Sequence, residues 1–222
     1  EHRVAGRTFD SLAPVYRVVE YAAFGRNLHR CRVAMLPHVA DCRRVLVLGE
    51  GDGRFLADFL TACPVATVEV CDASGGMIAR CRRRVGDQPR VTYRTADART
   101  LGVPPAAYDL IVTNFFLDCF PAGQLGPLVR KLADALAPGG RWIVGDFRLP
   151  ETGTPRLRAG VKLAVMYAFF RAATRLPAGS LADPNPVLRA NGMERLAERT
   201  WQGGFLSAAV WRKPVNSGVP AR

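Results

Sequence analysis

Residues 45–55 read VLVLGEGDGRF, four apolar residues followed by three glycines at a spacing of two. The apolar run predicts a buried strand over 45–48. The glycines that follow it permit left-handed backbone and the close approach of a ligand, and they are Gly49, Gly51 and Gly53. A dinucleotide-binding fingerprint has its third glycine one residue later, where this chain has Arg54. The loop therefore indicates a nucleotide-like ligand but disfavours the cradling of a pyrophosphate.

Short β-branched runs alternate with helical segments after residue 44, which is the pattern of a mainly parallel α/β sheet. Five strands are predicted, at 45–48, 67–71, 91–95, 110–113 and 142–146. Helices are predicted at 54–61, at 74–85 with Ser74 as N-cap, and at 123–136, stopped by Pro138-Gly139-Gly140. After a short helix at 181–191, strands at 195–201 and 205–212 complete the fold as an antiparallel hairpin.

The length and the pattern predict a single domain over residues 1–222. Residues 1–40 are expected to form a helical cap over the carboxyl edge of the sheet. The segment 150–191 is expected to be a helical lid, because it is apolar on nearly every face between 154 and 176. Residues 213–222 are expected to be disordered. With no apolar run of membrane-spanning length and no signal-peptide core, a cytoplasmic location is expected.

The net charge of +12 at pH 7 is of the kind that nucleic-acid or anionic membrane partners favour. The arginines, however, are scattered through every segment. The one cluster, Arg80-Cys81-Arg82-Arg83-Arg84, falls late in a predicted helix, where cations are favoured without any partner. These features argue against a nucleic-acid partner and leave peripheral membrane contact open. The six cysteines show neither CxxC pairs nor metal-ligand spacing with the histidines, so free thiols and no metal site are expected.

Polar residues follow successive predicted strands, at the edge where parallel sheets bind ligands. Asp72 follows the second strand, nineteen residues after Gly53, and can accept hydrogen bonds from both hydroxyls of a ribose. Asp97 follows the third strand and can accept a bond from an adenine amine, and Asn114 and Phe115 follow the fourth. Four consecutive strand ends thus predict one nucleoside pocket.

Each of these residues has a structural alternative that the sequence leaves open. Asp72 could cap the helix that begins near Ser74, and Asp97 could be a turn residue. Phe115 and Phe116 could belong to the core. Glu50 could be a solvated loop carboxylate.

These motifs, together with the Pro-Gly-Gly turn and the final hairpin, resemble the class I S-adenosylmethionine-dependent methyltransferases over nearly the whole chain. The segment Phe9-Asp10-Ser11-Leu12-Ala13-Pro14-Val15-Tyr16 is similar to the start of the ubiquinone and menaquinone biosynthesis C-methyltransferase branch. The resemblance implies a Rossmann-like, doubly wound α/β sheet of seven strands in the order 3-2-1-4-5-7-6, with the last strand antiparallel and helices on both faces. It also implies S-adenosylmethionine as cofactor and S-adenosylhomocysteine as product.

The resemblance also implies a set of cofactor-binding residues, which are Gly49, Glu50, Gly51, Gly53, Asp72, Ala73, Met77, Asp97, Ala98, Asn114 and Phe115. In it the glycines border the methionine moiety, Asp72 holds the ribose, Met77 and Asp97 lie by the adenine, and Asn114 lies near the sulfonium. Family members usually carry an acidic residue two positions before the first loop glycine, where it helps to anchor the cofactor's ammonium. This chain has Val47 there, so either Glu50 takes over or the affinity is weaker.

The expected activity is O- or C-methylation of a small, apolar or aromatic molecule, bound under a lid that includes Met166, Tyr167, Phe169 and Phe170. Because the sulfonium methyl is already activated, the enzyme mainly has to place the nucleophile in line and exclude water. A base is needed only when the nucleophile must lose a proton. The candidates for that base are Asp118, Asp146, His29, Tyr16 and Tyr167.

Two other functions use the same pattern. An RNA or protein methyltransferase would have the same cofactor site, although the chain lacks an Asn-Pro-Pro-Tyr signature and an aromatic-studded basic surface. A non-catalytic nucleotide-binding domain is the other alternative, with Val47 as the mark of a degenerate site. The oligomeric state has no signature in the sequence.

Overall fold

Seven strands form one sheet in the computed structural model, which describes residues 25–148 and 182–215. The strands are β1 Arg44–Leu48, β2 Thr67–Asp72, β3 Val91–Thr95, β4 Tyr108–Asn114, β5 Leu136–Phe147, β6 Glu194–Trp201 and β7 Leu206–Arg212. Their order is β3-β2-β1-β4-β5-β7-β6. Strands β1 to β5 pair in parallel, and β7 is antiparallel to both of its neighbours. The doubly wound α/β sheet and its strand order are therefore confirmed.

Helices cover both faces of the sheet. The α-helices are α1 Asn27–Val33, α2 Arg54–Ala62, α3 Gly75–Val85, α4 Ala122–Ala135 and α5 Pro184–Ala190, and short 3-10 helices lie at Leu36–His38 and Leu117–Cys119. Val45 and Val47 of β1 pack in the apolar cluster beneath α1, α2 and α3, whereas Leu46 and Leu48 pack beneath α4 and α5. Because β1 is buried on both faces, its sequence is continuously apolar rather than alternating.

The predicted start of the fifth strand is wrong. Strand β5 begins at Leu136, directly after α4, and not at residue 142. Leu136 pairs with Tyr108 and Arg141 pairs with Leu110, so the residues between, which include Pro-Gly-Gly, form an irregularity within the strand. The Pro-Gly-Gly sequence does follow the helix end, but it interrupts the pairing of a strand rather than separating two elements.

The described part of the chain reaches only portions of the predicted cap and lid. Residues 1–24 and 149–181 lie outside it. Helix α1 falls within the predicted cap over 1–40 and α5 within the predicted lid over 150–191, and the cap and the lid themselves stay predictions. Lys213 is predicted to begin the disordered tail, yet its N–H donates to the Gly140 carbonyl oxygen at 2.8 Å. Its ammonium donates to the carbonyl oxygens of Ala133 and Leu136, both at 2.8 Å. The fold therefore includes Lys213, and residues 216–222 lie outside the description.

No helix in the described ranges combines the length and apolarity that crossing a membrane requires. The expected cytoplasmic location stays a prediction.

Candidate active site

The carboxyl ends of β1 and β4 lie side by side, with β2 and β3 on one side and β5 on the other. The chain leaving β1 enters a helix on one face of the sheet, and the chain leaving β4 leads to a helix on the opposite face. Such a reversal opens the crevice in which doubly wound sheets bind ligands. The structure brings the predicted glycine loop and the ends of β2, β3 and β4 together at this edge.

Each glycine of the loop adopts a positive φ, of 66°, 71° and 85° for Gly49, Gly51 and Gly53. A Cβ on Gly49 would lie 2.4 Å from the Phe116 ring, and a Cβ on Gly53 would lie 3.0 Å from the Cα of Cys81. A Cβ on Gly51 would meet nothing within 4 Å in the described part of the chain. Packing within the protein accounts for the first and third glycines. The second borders open space, where a ligand can approach the backbone.

Glu50 reaches across the loop and caps the following helix. Its Oε1 accepts a hydrogen bond from the backbone N–H of Leu56 in the first turn of α2, at 3.0 Å. Burial raises the pKa of Glu50 to about 8, against the opposing influence of Arg32. Glu50 is half-buried and bound to the helix, which favours a structural role over that of a solvated loop carboxylate. Val47 is 1% exposed and packs in the core.

Two arginines bind Asp52, the other acidic residue of the glycine loop. Arg84, in the last turn of α3, donates to the backbone oxygen of Asp52 at 2.7 Å and to its Oδ2 at 3.0 Å. Arg54 donates to the same Oδ2 at 3.0 Å. These contacts tie the segment between Gly51 and Gly53 to the end of α3. The arginine cluster therefore has a role inside the fold.

Asp72 connects the end of β2 to the glycine loop. Its Oδ1 accepts from the N–H of Ser74 at 2.8 Å, and its Oδ2 faces the N–H of Gly51 at 3.4 Å. The N-cap of α3 is Ser74 itself, whose hydroxyl accepts from the N–H of Met77 at 3.1 Å. Asp72 is thus not the helix cap. Because a carboxylate offers about four acceptor positions, this geometry is compatible with bonds to ribose hydroxyls.

Asp97 already has a cationic neighbour. The guanidinium of Arg99 donates to both of its carboxylate oxygens, the shortest bond being 2.6 Å from Nη2 to Oδ2. The backbone oxygen of Asp97 also accepts from the N–H groups of Thr100 and Leu101, so its role as a turn residue is real. An adenine amine would have to share this carboxylate with Arg99. Ala98 is buried, Met77 is half-buried and Ala73 is exposed.

Asn114 carries a buried amide at the end of β4. The residue is 9% exposed, and neither its Oδ1 nor its Nδ2 has a hydrogen-bond partner among residues 25–148 and 182–215. Buried polar atoms are almost always paired, so an orphaned amide at a strand end points to a ligand that completes it. The residues at this edge therefore fit a nucleoside bearing a polar tail.

Phe115 and Phe116 lie on opposite sides of this strand end. Phe115 has a φ of 54°, uncommon outside glycine, and its ring lies 5.0 Å from that of Phe147 between centroids. The guanidinium of Arg32 lies 5.1 Å from the Phe115 ring centroid. Phe116 covers Gly49 and packs edge-on against Phe120. Both side chains are half-buried. Phe116 supports the glycine loop, and Phe115 lies at the end of β4 beside Arg32.

Asp118 and Asp146 are the predicted base candidates that meet in the structure. The N–H of Asp118 donates to Asp146 Oδ2 at 3.2 Å, and burial raises the pKa of both carboxyls. His29 instead pairs with Asp58 on α2 at 3.3 Å. Tyr16 and Tyr167 lie outside the described residues. In the described ranges, no three His, Cys, Asp or Glu side chains are grouped as metal ligands would be.

Asp146 also lines a small cavity of about 20 Å³. Its other walls come from the end of β5, the start of α5 and β7, namely Val144, Phe147, Arg148, Asp183, Pro184, Asn185, Ser207 and Ala209. At this size the cavity has room for about one water molecule and not for a small-molecule ligand.

Three residues of this site are not predicted from the sequence. Gly145 allows the Asn114 amide to pack against β5, and a lone glycine within a strand is a signal of close approach. The sequence indicates Phe116 only as a possible core residue. Arg32 carries no signal, because it lies on a helix that precedes the sheet and reaches the site only through the fold.

Known proteins share this fold and part of this sequence. A family described as "Methyltransferase domain" matches residues 45–140. A trans-aconitate 2-methyltransferase of Methylobacterium nodulans is 35% identical over 123 residues, 54% of this chain and 45% of that protein. A demethylmenaquinone methyltransferase of Thermus thermophilus is 32% identical over 150 residues, 65% of this chain and 66% of that protein. The chain thus spans less than two thirds of the length of each of these relatives.

Among solved structures, the N-methyltransferase NodS of Bradyrhizobium japonicum in complex with S-adenosyl-L-homocysteine has a TM-score of 0.61 and 17% sequence identity. The match covers 86% of this chain and 88% of that one. At this identity the likeness concerns the fold.

Proposed function

We propose that this chain, which belongs to the class I S-adenosylmethionine-dependent methyltransferases, transfers a methyl group to a small, apolar or aromatic acceptor at oxygen or carbon. S-adenosylmethionine is the cofactor of this family, and S-adenosylhomocysteine is its product. The family and cofactor that the sequence predicts are thereby confirmed, and the acceptor and the roles of single residues are proposals.

The observation that carries the proposal is the buried Asn114 amide, which has no hydrogen-bond partner among the described residues. It lies at the end of β4, next to β1 and its glycine loop, in the crevice that such sheets use for ligands. The open space over Gly51 and the carboxylate of Asp72 lie at the same edge. A core residue would have its amide paired, so a ligand is the simplest completion of this site.

When bound, S-adenosylmethionine supplies a methyl group activated by the sulfonium charge. The chain's own residues would hold and orient the cofactor, with Asp72 at the ribose hydroxyls, Asp97 and Ala98 at the adenine edge, and Asn114 at the polar tail. The carboxylate of Glu50, which the Leu56 N–H holds in place, would accept a hydrogen bond from the cofactor's ammonium. Holding two reactants in line can lower the barrier by about 7–11 kcal/mol.

The proposed acceptor class has two supports. The relatives reported above are named for small molecules, trans-aconitate and demethylmenaquinone. The segment 154–176 combines aliphatic and aromatic residues, which suit a lid over an apolar molecule. Replacing Tyr167 and Phe170 with Ala is expected to raise the KM for the acceptor; unchanged affinity in a folded variant would contradict the lid.

The arginines give little support to a nucleic-acid acceptor. Arg84 binds Asp52, Arg82 binds Asp87, and Arg94 binds Glu69, so much of the charge on this side is neutralised within the protein. A cytoplasmic location, peripheral membrane contact and the oligomeric state stay open to experiment.

The direct test is product formation. The protein is incubated with S-adenosylmethionine and separate pools of phenols, quinols, organic acids, RNA and protein extract, and S-adenosylhomocysteine is quantified with the methylated product. We expect turnover only with small molecules. Turnover confined to RNA or protein would favour the alternative acceptors, and cofactor binding without turnover in any pool would favour a non-catalytic domain.

A further inference from the structure

Helix α1 brings a cation to the carboxyl edge of the sheet. Leu28 and Cys31 of this helix are buried in the same apolar cluster as Val47 of β1, so the helix packs on that face. Arg32, the next residue, is half-buried, and its guanidinium lies 5.1 Å from the centroid of the Phe115 ring. A positive charge therefore lies directly beside the end of β4.

The amide of Asn114 lies on the same face of the sheet. Leu110 and Val112 of β4 pack in the cluster beneath α1, and side chains two residues apart in a strand share a face, so Asn114 points toward α1 as well. Its Oδ1 lies nearest to the position of a Cβ on Gly145, at 2.5 Å. The Nδ2 is the branch turned away from Gly145, and it has no hydrogen-bond partner in the described part of the chain.

The backbone of the following residue is strained. Phe115 has a φ of 54°, in the left-handed region that residues other than glycine seldom adopt. Its N–H donates to the Gly145 carbonyl oxygen at 2.6 Å, which holds this conformation in place. Strain of this kind persists where the surrounding structure enforces it, and it is concentrated at functional sites. Here it places the Phe115 ring beside the guanidinium of Arg32.

We propose that Arg32 and the Asn114 amide together form a subsite for a carboxylate, so that helix α1 contributes directly to ligand binding. The inference rests on the proposed function. A guanidinium binds a carboxylate through two parallel N–H···O bonds, and its five donors allow it to keep contacts within the protein at the same time. The Nδ2 of Asn114 would donate a further bond to the carboxylate, which satisfies an otherwise orphaned buried group.

The neighbouring charges favour an anion at this place. Other guanidinium groups at this edge are bound to carboxylates, Arg54 and Arg84 to Asp52. The charge of Arg32 lowers the pKa of Glu50, but burial outweighs it and raises that pKa to about 8. Glu50 thus holds a proton near neutral pH and does not cancel the charge of Arg32.

Two molecules of the proposed reaction can supply the carboxylate. The cofactor ends in an amino-acid tail, whose carboxylate would meet Arg32 while its ammonium meets Glu50 and favours the ionised form of that residue. An acceptor that is itself a carboxylic acid is the other source. The two sources differ in the binding step that depends on Arg32, which is cofactor binding for the first and acceptor binding for the second.

A ligand without the carboxylate tests the first source. S-adenosylhomocysteine and its decarboxylated analogue, which keeps the ammonium, are titrated calorimetrically into the wild-type chain and into Arg32→Gln. If the tail occupies the subsite, Arg32→Gln is expected to weaken S-adenosylhomocysteine by about tenfold or more and the analogue by less than about twofold. Arg30→Gln removes the same charge from an exposed position in the same helical turn and is expected to change neither.

An aromatic acid tests the second source. The protein is saturated with S-adenosylhomocysteine, and benzoate is then titrated, with benzyl alcohol as the uncharged comparison. If an acceptor occupies the subsite, Arg32→Gln is expected to weaken benzoate by about tenfold, while S-adenosylhomocysteine keeps its wild-type affinity.

Two further variants separate binding from folding. Arg32→Lys keeps the charge but loses the planar fork, so it is expected to recover part of the affinity that Arg32→Gln loses. Asn114→Ala is expected to weaken the same ligand as Arg32→Gln does. A Tm close to that of Arg30→Gln shows that a variant is folded. If Arg32→Gln does not fold, the same comparison of ligands is made with Arg32→Lys.

Equal weakening of S-adenosylhomocysteine and its decarboxylated analogue in the Arg32 variant overturns the inference and leaves the methyltransferase proposal standing. Wild-type affinity for S-adenosylhomocysteine in that variant, together with benzoate binding that is absent or unchanged, does the same. Failure of S-adenosylhomocysteine to bind the folded wild type overturns the proposed function and this inference with it.

Discussion

Gly145 lies so close to Asn114 that a Cβ added to Gly145 would be 2.5 Å from Asn114 Oδ1. The two residues are register partners on β5 and β4, at the edge of the sheet where the crevice between the ends of β1 and β4 opens. The absence of a side chain at Gly145 leaves room for the buried amide of Asn114. One glycine within a strand thus determines where a polar group of the site can stand.

Gly145→Ala is expected to displace the Asn114 amide. Inserting a methyl group into packed surroundings costs about 1–3 kcal/mol of unfolding free energy, and binding of S-adenosylmethionine should weaken as well. Thermal unfolding and calorimetry measure the two effects. The control is Gly126→Ala in α4, where a Cβ meets nothing within 4 Å and helix propensity favours Ala by up to about 1 kcal/mol. A Gly145→Ala protein with wild-type stability and affinity would contradict the role of this contact.

Gly51→Ala should mainly weaken cofactor binding, whereas Gly49→Ala should mainly lower stability. At Gly51 a Cβ has free space, so the variant should fold with a loss of about 1–2 kcal/mol from the positive φ but bind S-adenosylmethionine weakly. At Gly49 the Cβ meets Phe116 at 2.4 Å, so stability should fall further. Paired measurements of Tm and Kd separate the two. Wild-type affinity in Gly51→Ala would show that no ligand approaches there.

Arg84→Ala should loosen the glycine loop, because Arg84 is bound to Asp52 between two loop glycines. The pair is partly exposed, so the loss of stability should be at most about 1 kcal/mol. The larger effect should be a weaker affinity for S-adenosylmethionine. Arg83→Ala removes the same charge from the neighbouring, exposed position and serves as the matched control. Equal behaviour of the two variants would exclude a specific contact.

Glu50 should make stability fall as pH rises. Burial raises its pKa to about 8 in the folded chain from an ordinary value of 4.5. Between these values the native state binds more protons than the unfolded state, so this contribution is complete below the lower value and is lost as pH rises through the higher one. Glu50→Gln, which keeps an oxygen for the Leu56 N–H, should gain stability relative to wild type from pH 5 toward about pH 8. A difference in Tm that does not change with pH would contradict the raised pKa of Glu50.

Local sequence features predict the part of the fold nearest the glycine loop. The apolar run of β1, the glycine spacing and the Ser74 cap depend on residues close together in the chain, and the structure has them as predicted. The start of β5 was not predictable in this way. Its irregular pairing with β4 depends on Tyr108, far away in sequence.

The polar contacts of the site are likewise only partly predictable from local sequence. The pattern predicts that Asp72 and Asp97 lie at the ends of neighbouring strands, one in the last position of β2 and the other two residues after β3. The bonds from Leu56 to Glu50 and from Arg99 to Asp97 depend on side-chain packing. The meeting of Asp118 and Asp146 requires the β4–β5 pairing, since 28 residues separate them. The sequence identifies both as candidates individually, and only the fold makes them a pair.

Calorimetric titration of S-adenosylmethionine and S-adenosylhomocysteine tests the central claim most directly. Both should bind the wild type with Kd below about 1 mM, the upper end of usual enzyme affinities. Asp72→Asn should weaken both by tenfold or more, which corresponds to about 1.4 kcal/mol, while the exposed Asp134→Asn on α4 should leave them unchanged. Absence of binding of either ligand to folded wild-type protein at millimolar concentration would contradict the claim that this crevice is a methyltransferase cofactor site.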